Sequence, residues 1–503
     1  MLSYILGGFA SVLQPLNFLY MSFGTFMGIV IGALPGLSGS MGIILLLPMV
    51  YTMETSTALV MLCGIFCGSM FGGSVSAILL RTPGTPSATA TLLDGYPLAQ
   101  KGEAGKAIGV AAIGSVTGGL ISSASLMLIA PQLARVALKF HSADYFALAL
   151  FGLSIMATSA GRNMLKGLMA GAAGLLISTV GTDPLVGSSR FTFGNPRLMI
   201  GLPQLAVLIG VFALSEVFTQ VQGGVHRVTV QEQNVKNILP SWREFRGVLL
   251  SAVVGGIIGV FIGIIPGTGG AISVFIAYNI AQRMSRHPEQ FGHGALEGIA
   301  APEASNNGTT GGALIPMLTL GIPGDTITSV MLGALMLIGV TPGPQLFVRN
   351  PEIVYAVFAG MFIIQLLMLL FGVIFAKIAP RVLGVPPEIL LPIILVLCIV
   401  GAYSLANQTY HVAVAVIFGV VGFFMKKYKF PGAPLVLGVI LGPIAEKNLD
   451  RALQLSKNDW SVFFRRPIAL TFIILSVLMV GYTVFTNWRD SQKEKKAAEA
   501  EKA

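Results

Sequence analysis

Long apolar runs recur along the chain, separated by short polar or Gly/Pro-rich pieces. A bilayer core takes about 20 residues of α-helix at about 1.5 Å per residue. Runs near that length fall at 16–34, 57–80, 107–131, 143–160, 164–181, 200–221, 247–265, 269–282, 326–341, 353–376, 388–405, 411–425 and 467–486. Shorter or interrupted apolar pieces at 37–52, 300–321 and 431–445 either span or re-enter. The pattern predicts an all-α polytopic membrane protein with about 12–14 transmembrane or re-entrant helices. Residues 94–106 (DGYPLAQKGEAGK) are dense in charge and read as an exposed connection. Residues 1–53 carry no charge, so they lack the basic start of a cleaved signal.

The apolar pattern also repeats. Gly24, Gly28, Gly32, Pro35, Gly36 and Gly39 fall on Gly255, Gly259, Gly263, Pro266, Gly267 and Gly270 at a constant offset of 231 residues. Downstream, GGSVSAILLRTPGTPS (72–87) resembles GGALIPMLTLGIPGDTIT (311–328), with Pro83-Gly84 facing Pro323-Gly324 after a one-residue slip. Two homologous halves are expected. The division is 1–225 for the first repeat, 226–246 for a polar linker, 247–460 for the second repeat, and 461–503 for a final transmembrane helix with a charged tail. Counting 37–52 as a crossing puts an odd number of spans between the repeat starts, which makes the halves inverted repeats. If 37–52 only re-enters, the parity changes.

Composition fits the same solvent. Hydrophobic residues are 54% of 503 and charged residues 10%, against roughly a quarter charged in soluble domains. The net charge of +10 comes from basic clusters in short loops: Arg135 and Lys139; Arg227, Lys236, Arg243 and Arg246; Arg283 and Arg286; Lys426, Lys427 and Lys429; Arg465 and Arg466. This is the loop bias of a membrane protein, without the aromatic interleaving of a nucleic-acid surface. It makes the 226–246 loop cytoplasmic and leaves the side of the tail open. Cys63 and Cys67, one helical turn apart, and the lone Cys398 read as small buried residues, so no transition-metal site is expected. No zinc motif, nucleophile elbow or paired carboxylates stand out, which argues against an enzyme.

The candidate chemistry lies in the Gly/Pro breaks. Broken backbone at membrane depth persists only where it is buried in protein or lines a cavity. Pro35 and Gly36 should end one helix, and Ser38, Gly39 and Ser40 should start the next, whose free N–H groups favour an anion. Pro266, Gly267, Thr268 and Gly269 should build the same device. The Gly28-x3-Gly32 and Gly259-x3-Gly263 pairs read first as close helix packing. Around the second breaks stand Arg81, Thr82 and Thr85 in one half and Gly324, Asp325 and Thr326 in the other. Before the latter comes the polar run PEASNNGTTGGALIP (302–316), with Glu303, Asn306, Asn307, Thr309 and Thr310. It is either a functional cluster inside the membrane or a loop outside it. Helix N-termini with Arg81, Thr82, Asn306 and Asn307 would hold a carboxylate substrate. Unwound carbonyls with the oxygens of Asn307, Thr310, Gly324, Asp325, Thr326 and Thr85 would suit a hard cation such as Na+.

These segments also carry a family resemblance. LPGLSGSMG, FGGSVSAILLRTPGTPSATATLLDGYPLAQKGEAGKAIG and APEASNNGTTGGALIPMLTLGIPGDTITSVMLGALMLIGVTPGPQLF resemble signature regions of the large membrane subunit of the bacterial tripartite tricarboxylate transporters, over about residues 5–460. The resemblance implies an inner-membrane carrier for citrate-like or other organic carboxylates. It further implies a small membrane subunit, a periplasmic substrate-binding protein, and Na+ or H+ as coupling ion in place of a cofactor. The absence of a P-loop motif agrees with an ion gradient as driving force. Many relatives have Asn before the first Pro-Gly where this chain has Arg81, a change that leaves the substrate open. A stand-alone anion carrier or channel is the alternative, with an integral membrane enzyme behind it.

Overall fold

In the computed structural model, residues 2–158, 164–183, 187–223 and 238–500 are described. Most of the expected 226–246 linker, with Arg227 and Lys236, lies outside them, as do residues 159–163 at the expected 143–160 and 164–181 boundary. The helices of the first half are α1 (Leu2–Val12), α2 (Pro15–Ala33), α3 (Gly39–Tyr51), α4 (Thr55–Leu80), α5 (Leu92–Leu98), α6 (Ala104–Ala137), α7 (Ser142–Thr158), α8 (Met164–Ser178), α9 (Pro196–Met199), α10 (Gln204–Leu208) and α11 (Ser215–Gly223). Those that follow are α12 (Trp242–Ile264), α13 (Gly269–Met284), α14 (Glu297–Leu320), α15 (Thr326–Leu337), α16 (Leu346–Arg349), α17 (Pro351–Leu383), α18 (Pro387–Ser404), α19 (Thr409–Lys427), α20 (Gly432–Leu455), α21 (Val462–Arg465) and α22 (Pro467–Ala500). Among the described residues, strand structure is limited to Gly181–Thr182 paired antiparallel with Ser189–Arg190. Among the described residues, nine helices are long and apolar enough to cross a membrane, and five shorter apolar ones accompany them. The chain is therefore an all-α, multi-pass membrane protein.

Two compact units form: Met1–Leu138 with Phe212–Val412, and Lys139–Val211 with Ala413–Ala503. They do not coincide with the sequence halves, since each half contributes to both. The first unit is built on α4 and α14. Every residue of α4 from Ser56 to Leu79 is buried, as an all-round apolar helix requires. α14 is buried from Gly298 to Thr319 despite its polar sequence. Glycine lines the contact of each with a neighbour. A Cβ added at Gly24, Gly28 or Gly32 of α2 would overlap the carbonyl oxygens of Met61, Ile65 and Ser69 on α4. One added at Gly255 or Gly259 of α12 would overlap those of Ala301 and Ser305 on α14, and at Gly263 it would crowd that of Thr309. The packing role expected of these glycines is their role here.

The matching contacts also fix the repeat's register. Gly72 approaches Ile29 O as Gly312 approaches Val260 O, so Gly72 corresponds to Gly312 and no slip separates it from the Pro83/Pro323 pair.

Two readings of local structure need correction. The polar run 302–316 is neither a loop nor unwound: it lies within the continuous helix α14, although Pro302 and Pro316 sit inside it. Each proline has a glycine four residues earlier, Gly298 and Gly312, so the displaced carbonyl belongs to a residue with no side chain to obstruct it. Unwound backbone comes only after Gly321, which ends α14 at φ 71°. Residues 94–106 are not wholly exposed. Asp94 is buried, and its Oδ1 accepts from Gly294 N and Ala295 N at 2.8 Å while its Oδ2 accepts from Tyr278 Oη at 2.9 Å. Residues 431–445 form part of α20, 24 residues long and thus about 36 Å, enough to cross. By contrast α3, with 13 residues, reaches only about 20 Å.

In the second unit α20 packs on α7 and α8, and α22 on α7. Asp144 is buried there and held by Arg466 Nη2 at 2.9 Å and by Ala469 N at 3.0 Å. Arg190 clasps Glu446 with both terminal guanidinium nitrogens.

Candidate functional site

All the sequence-derived site residues fall in the first unit. At the first break Gly36 takes φ 85° beneath the amide of Gln220, and Ser38 Oγ caps α3 by accepting from Met41 N at 3.3 Å. Pro35 is half-buried, while Gly39 and Ser40 are buried. In the second half Gly267 takes φ 79° and Gly269 φ 62°. Thr268 is not a cap by its side chain; its Oγ1 donates back to Ile262 O at 2.6 Å and Ile265 O at 2.8 Å, closing the end of α12. The first N–H groups of α13 are therefore left without a side-chain cap.

The second breaks meet the first ones crosswise. A Cβ on Gly39 would overlap Ser69 Oγ and stand 2.7 Å from Ile327 Cδ1. A Cβ on Gly270 would stand 3.0 Å from Ser87 Cβ, 3.2 Å from Asn306 Oδ1 and 3.5 Å from Thr309 Oγ1. Ile327 and Ser87 are repeat equivalents, as are Thr309 and Ser69. Each half's first break thus rests on the other half's second break, and each break is backed by a hydroxyl from the buried helix of its own half. Within the second half the breaks are also tied directly, by Gly267 N donating to Gly324 O at 2.7 Å.

Asn306 and Asn307 are fully buried in the middle of α14. Asn306 Nδ2 donates to Met70 O at 3.0 Å, but its Oδ1, facing Gly270, has no partner. Neither Oδ1 nor Nδ2 of Asn307 has one, and Ser305 Oγ is also unpaired. A buried polar group without a partner carries a desolvation cost, which makes this cluster the candidate ligand site. Thr310 Oγ1 donates to Asn307 O at 2.7 Å, and Ser122 Oγ of α6 reaches the same carbonyl at 3.3 Å. Oxygen donors available to a hard cation here are the Asn306 and Asn307 amide oxygens and Ser305 Oγ. Among the described residues there is no cluster of three His, Cys, Asp or Glu side chains.

Other expected residues stand apart or are occupied. Arg81, in the left-handed region at φ 57°, is exposed and lies over the Tyr96 ring at 5.6 Å. Thr82 beside it is exposed, and Pro83 is half-buried. Thr85 is buried against Ser87, with 3.2 Å between their hydroxyl oxygens. Asp325 caps α15: its Oδ1 accepts from Thr328 N at 2.7 Å, and Thr328 Oγ1 accepts from Asp325 N at 2.8 Å. Thr326 is half-buried in that first turn and Gly324 packs against Ala313. Missed in the sequence were Ser69, Ser87, Gln220 and Gln365. Gln365, on α17, is buried with Nε2 3.5 Å from Cys67 Sγ and its Oε1 unpaired. Ser87 had no signal beyond lying just after the first Pro-Gly pair, and Gln365 none beyond being a polar residue within an apolar run.

A profile of the tripartite tricarboxylate transporter TctA family matches residues 18–437. Two relatives come from Agrobacterium vitis. The chain is 36% identical over 488 residues to an uncharacterized 52.8 kDa protein in the TAR-I ttuC' 3' region, covering 96% of each. It is 34% identical over 236 residues to an uncharacterized protein in the TAR-II ttuC' 3' region, covering 47% of this chain and 98% of that relative. No solved structure matches.

Proposed function

This chain belongs to the tripartite tricarboxylate transporter TctA family, a transporter family, and from that premise we propose that it is the permease subunit of a binding-protein-dependent carrier. It takes up an organic carboxylate, such as citrate or another di- or tricarboxylate, across a bacterial inner membrane. Uptake is coupled to Na+ or H+ and works by alternating access. A small membrane subunit and a periplasmic substrate-binding protein are its partners.

The observation that carries the reading is the placement of uncapped N–H groups at the start of α13 beside the unpartnered Oδ1 of Asn306, with the wholly unpaired amide of Asn307 next along α14. The helix N-terminus favours the carboxylate. The amides supply hydrogen bonds to the rest of the substrate or oxygens to a cation. Alternating access follows if the crossed breaks exchange partners, with the two halves as inverted repeats.

Reconstitution into proteoliposomes tests the proposal. With the small subunit and the binding protein present, an inward Na+ or H+ gradient should drive accumulation of radiolabelled citrate or a related carboxylate. No accumulation under either gradient sinks the carrier reading. Equal uptake by this chain alone would favour a stand-alone carrier.

A further inference from the structure

Glu303 lies on α14 one turn before Asn307, and its side chain is 0% exposed. Its carboxyl group is surrounded by hydroxyls from three other segments. Thr91 Oγ1 donates to Oε1 and Ser115 Oγ of α6 donates to Oε2 at 3.0 Å, while Ser74 Oγ of α4 stands beside the carboxyl group and donates its own proton to Phe71 O at 2.6 Å. Among the described residues, no Lys, Arg or His forms an ion pair with it.

The ionisable groups on the surrounding elements are otherwise engaged. Asp94 abuts α14 at Gly298 but is held by Gly294 N, Ala295 N and Tyr278 Oη of α13. Lys106 of α6 pairs with Glu103 at 2.6 Å and with Glu244 of α12 at 3.0 Å. Cys63 and Cys67 are buried on α4, and Cys67 faces Gln365. A carboxylate left charged and unpaired among such neighbours is strongly disfavoured. Some cation must accompany it, and the hydroxyls already sit at hydrogen-bond distance from its oxygens, which leaves the place of a proton and not of a coordinated metal ion.

We propose that Glu303 is the proton-carrying group of the transport cycle, an inference that rests on the carrier reading above. In the outward-facing state a carboxylate oxygen takes a proton from water on that side, forming an O–H bond. In the inward-facing state the bond breaks and the proton leaves to water on the other side. The hydroxyls serve both states: they donate to the carboxylate, and one rotates to accept from the carboxylic acid. Asn307 is four residues further along the same helix, about 6 Å in axial rise. A negative charge on Glu303 repels an anion bound there, and its proton removes that repulsion. Proton and anion therefore favour each other's binding reciprocally.

Two measurements on the full-length protein in lipid test this. In pH-induced infrared difference spectra, a carboxylic-acid C=O band should grow as pH falls, vanish in Glu303→Gln, and shift in Ser115→Ala. An unaltered band in a folded Glu303→Gln protein overturns the proposal. In proteoliposomes with both partner subunits, a pH gradient should drive citrate accumulation; Glu303→Gln should lower it at least tenfold, and Glu303→Asp should recover part. Wild-type accumulation driven by Na+ and indifferent to a pH gradient also overturns it. If wild type accumulates no carboxylate under any gradient, the carrier reading fails, and the infrared result still decides whether Glu303 takes up a proton.

Discussion

The Asn307 side chain makes no hydrogen bond within the buried helix. Its amide is fully enclosed and neither end is paired, whereas its neighbour Asn306 at least holds Met70 O. Removing a buried polar group that has no partner costs little and can stabilise, because the desolvation penalty leaves with it. Asn307→Ala should therefore melt within about 1 kcal/mol of wild type while losing carboxylate uptake at least tenfold. A large drop in melting temperature would make Asn307 a structural residue, and normal uptake would remove it from the site. Arg81 teaches the opposite lesson. Its departure from the family pattern singled it out in the sequence, yet the side chain is exposed on the face of Tyr96. A charge read as a substrate ligand can equally be the edge of a cation–π contact, and the local sequence does not distinguish them.

Among the elements, the packed pairs α2/α4 and α12/α14 are the most sharply specified. Their glycines allow backbone-to-backbone approach where any Cβ would overlap a carbonyl oxygen. Gly259→Val should cost about 1–3 kcal/mol or more through overpacking, measured as loss of thermal stability in detergent. Gly247→Val, at the exposed start of α12 with nothing within 4 Å of its Cβ, should cost no more than propensity. Equal losses at both positions would refute the packing account. The glycine spacing made these pairs legible in the sequence. The conformation of α14 was not legible, because its prolines, glycines and polar residues all argue locally against a helix. The surrounding helices bury it on every side and impose the state that satisfies its backbone.

For the whole molecule, the crossed contacts, Gly39 on Ile327 and Gly270 on Ser87, relate the halves reciprocally. Inverted repeats predict that Glu54→Cys and His293→Cys, exposed positions at the starts of the buried-helix segments, react with a membrane-impermeant maleimide from opposite sides of the membrane. Labelling of both from one side would make the halves parallel.

The sequence by itself determined the membrane class, most helices, the glycine-packed pairs and the positions of the four breaks. These follow from hydropathy and backbone rules that act over a few residues, and from a repeat visible as glycines and prolines at a constant offset. Only the tertiary structure decided that α14 is one buried helix, that each break rests on the other half's second break, and that Glu303 is closed in by hydroxyls. Thr91 and Ser115 lie 212 and 188 residues from Glu303. Contacts at that separation come from the packing of whole helices, which no local pattern encodes.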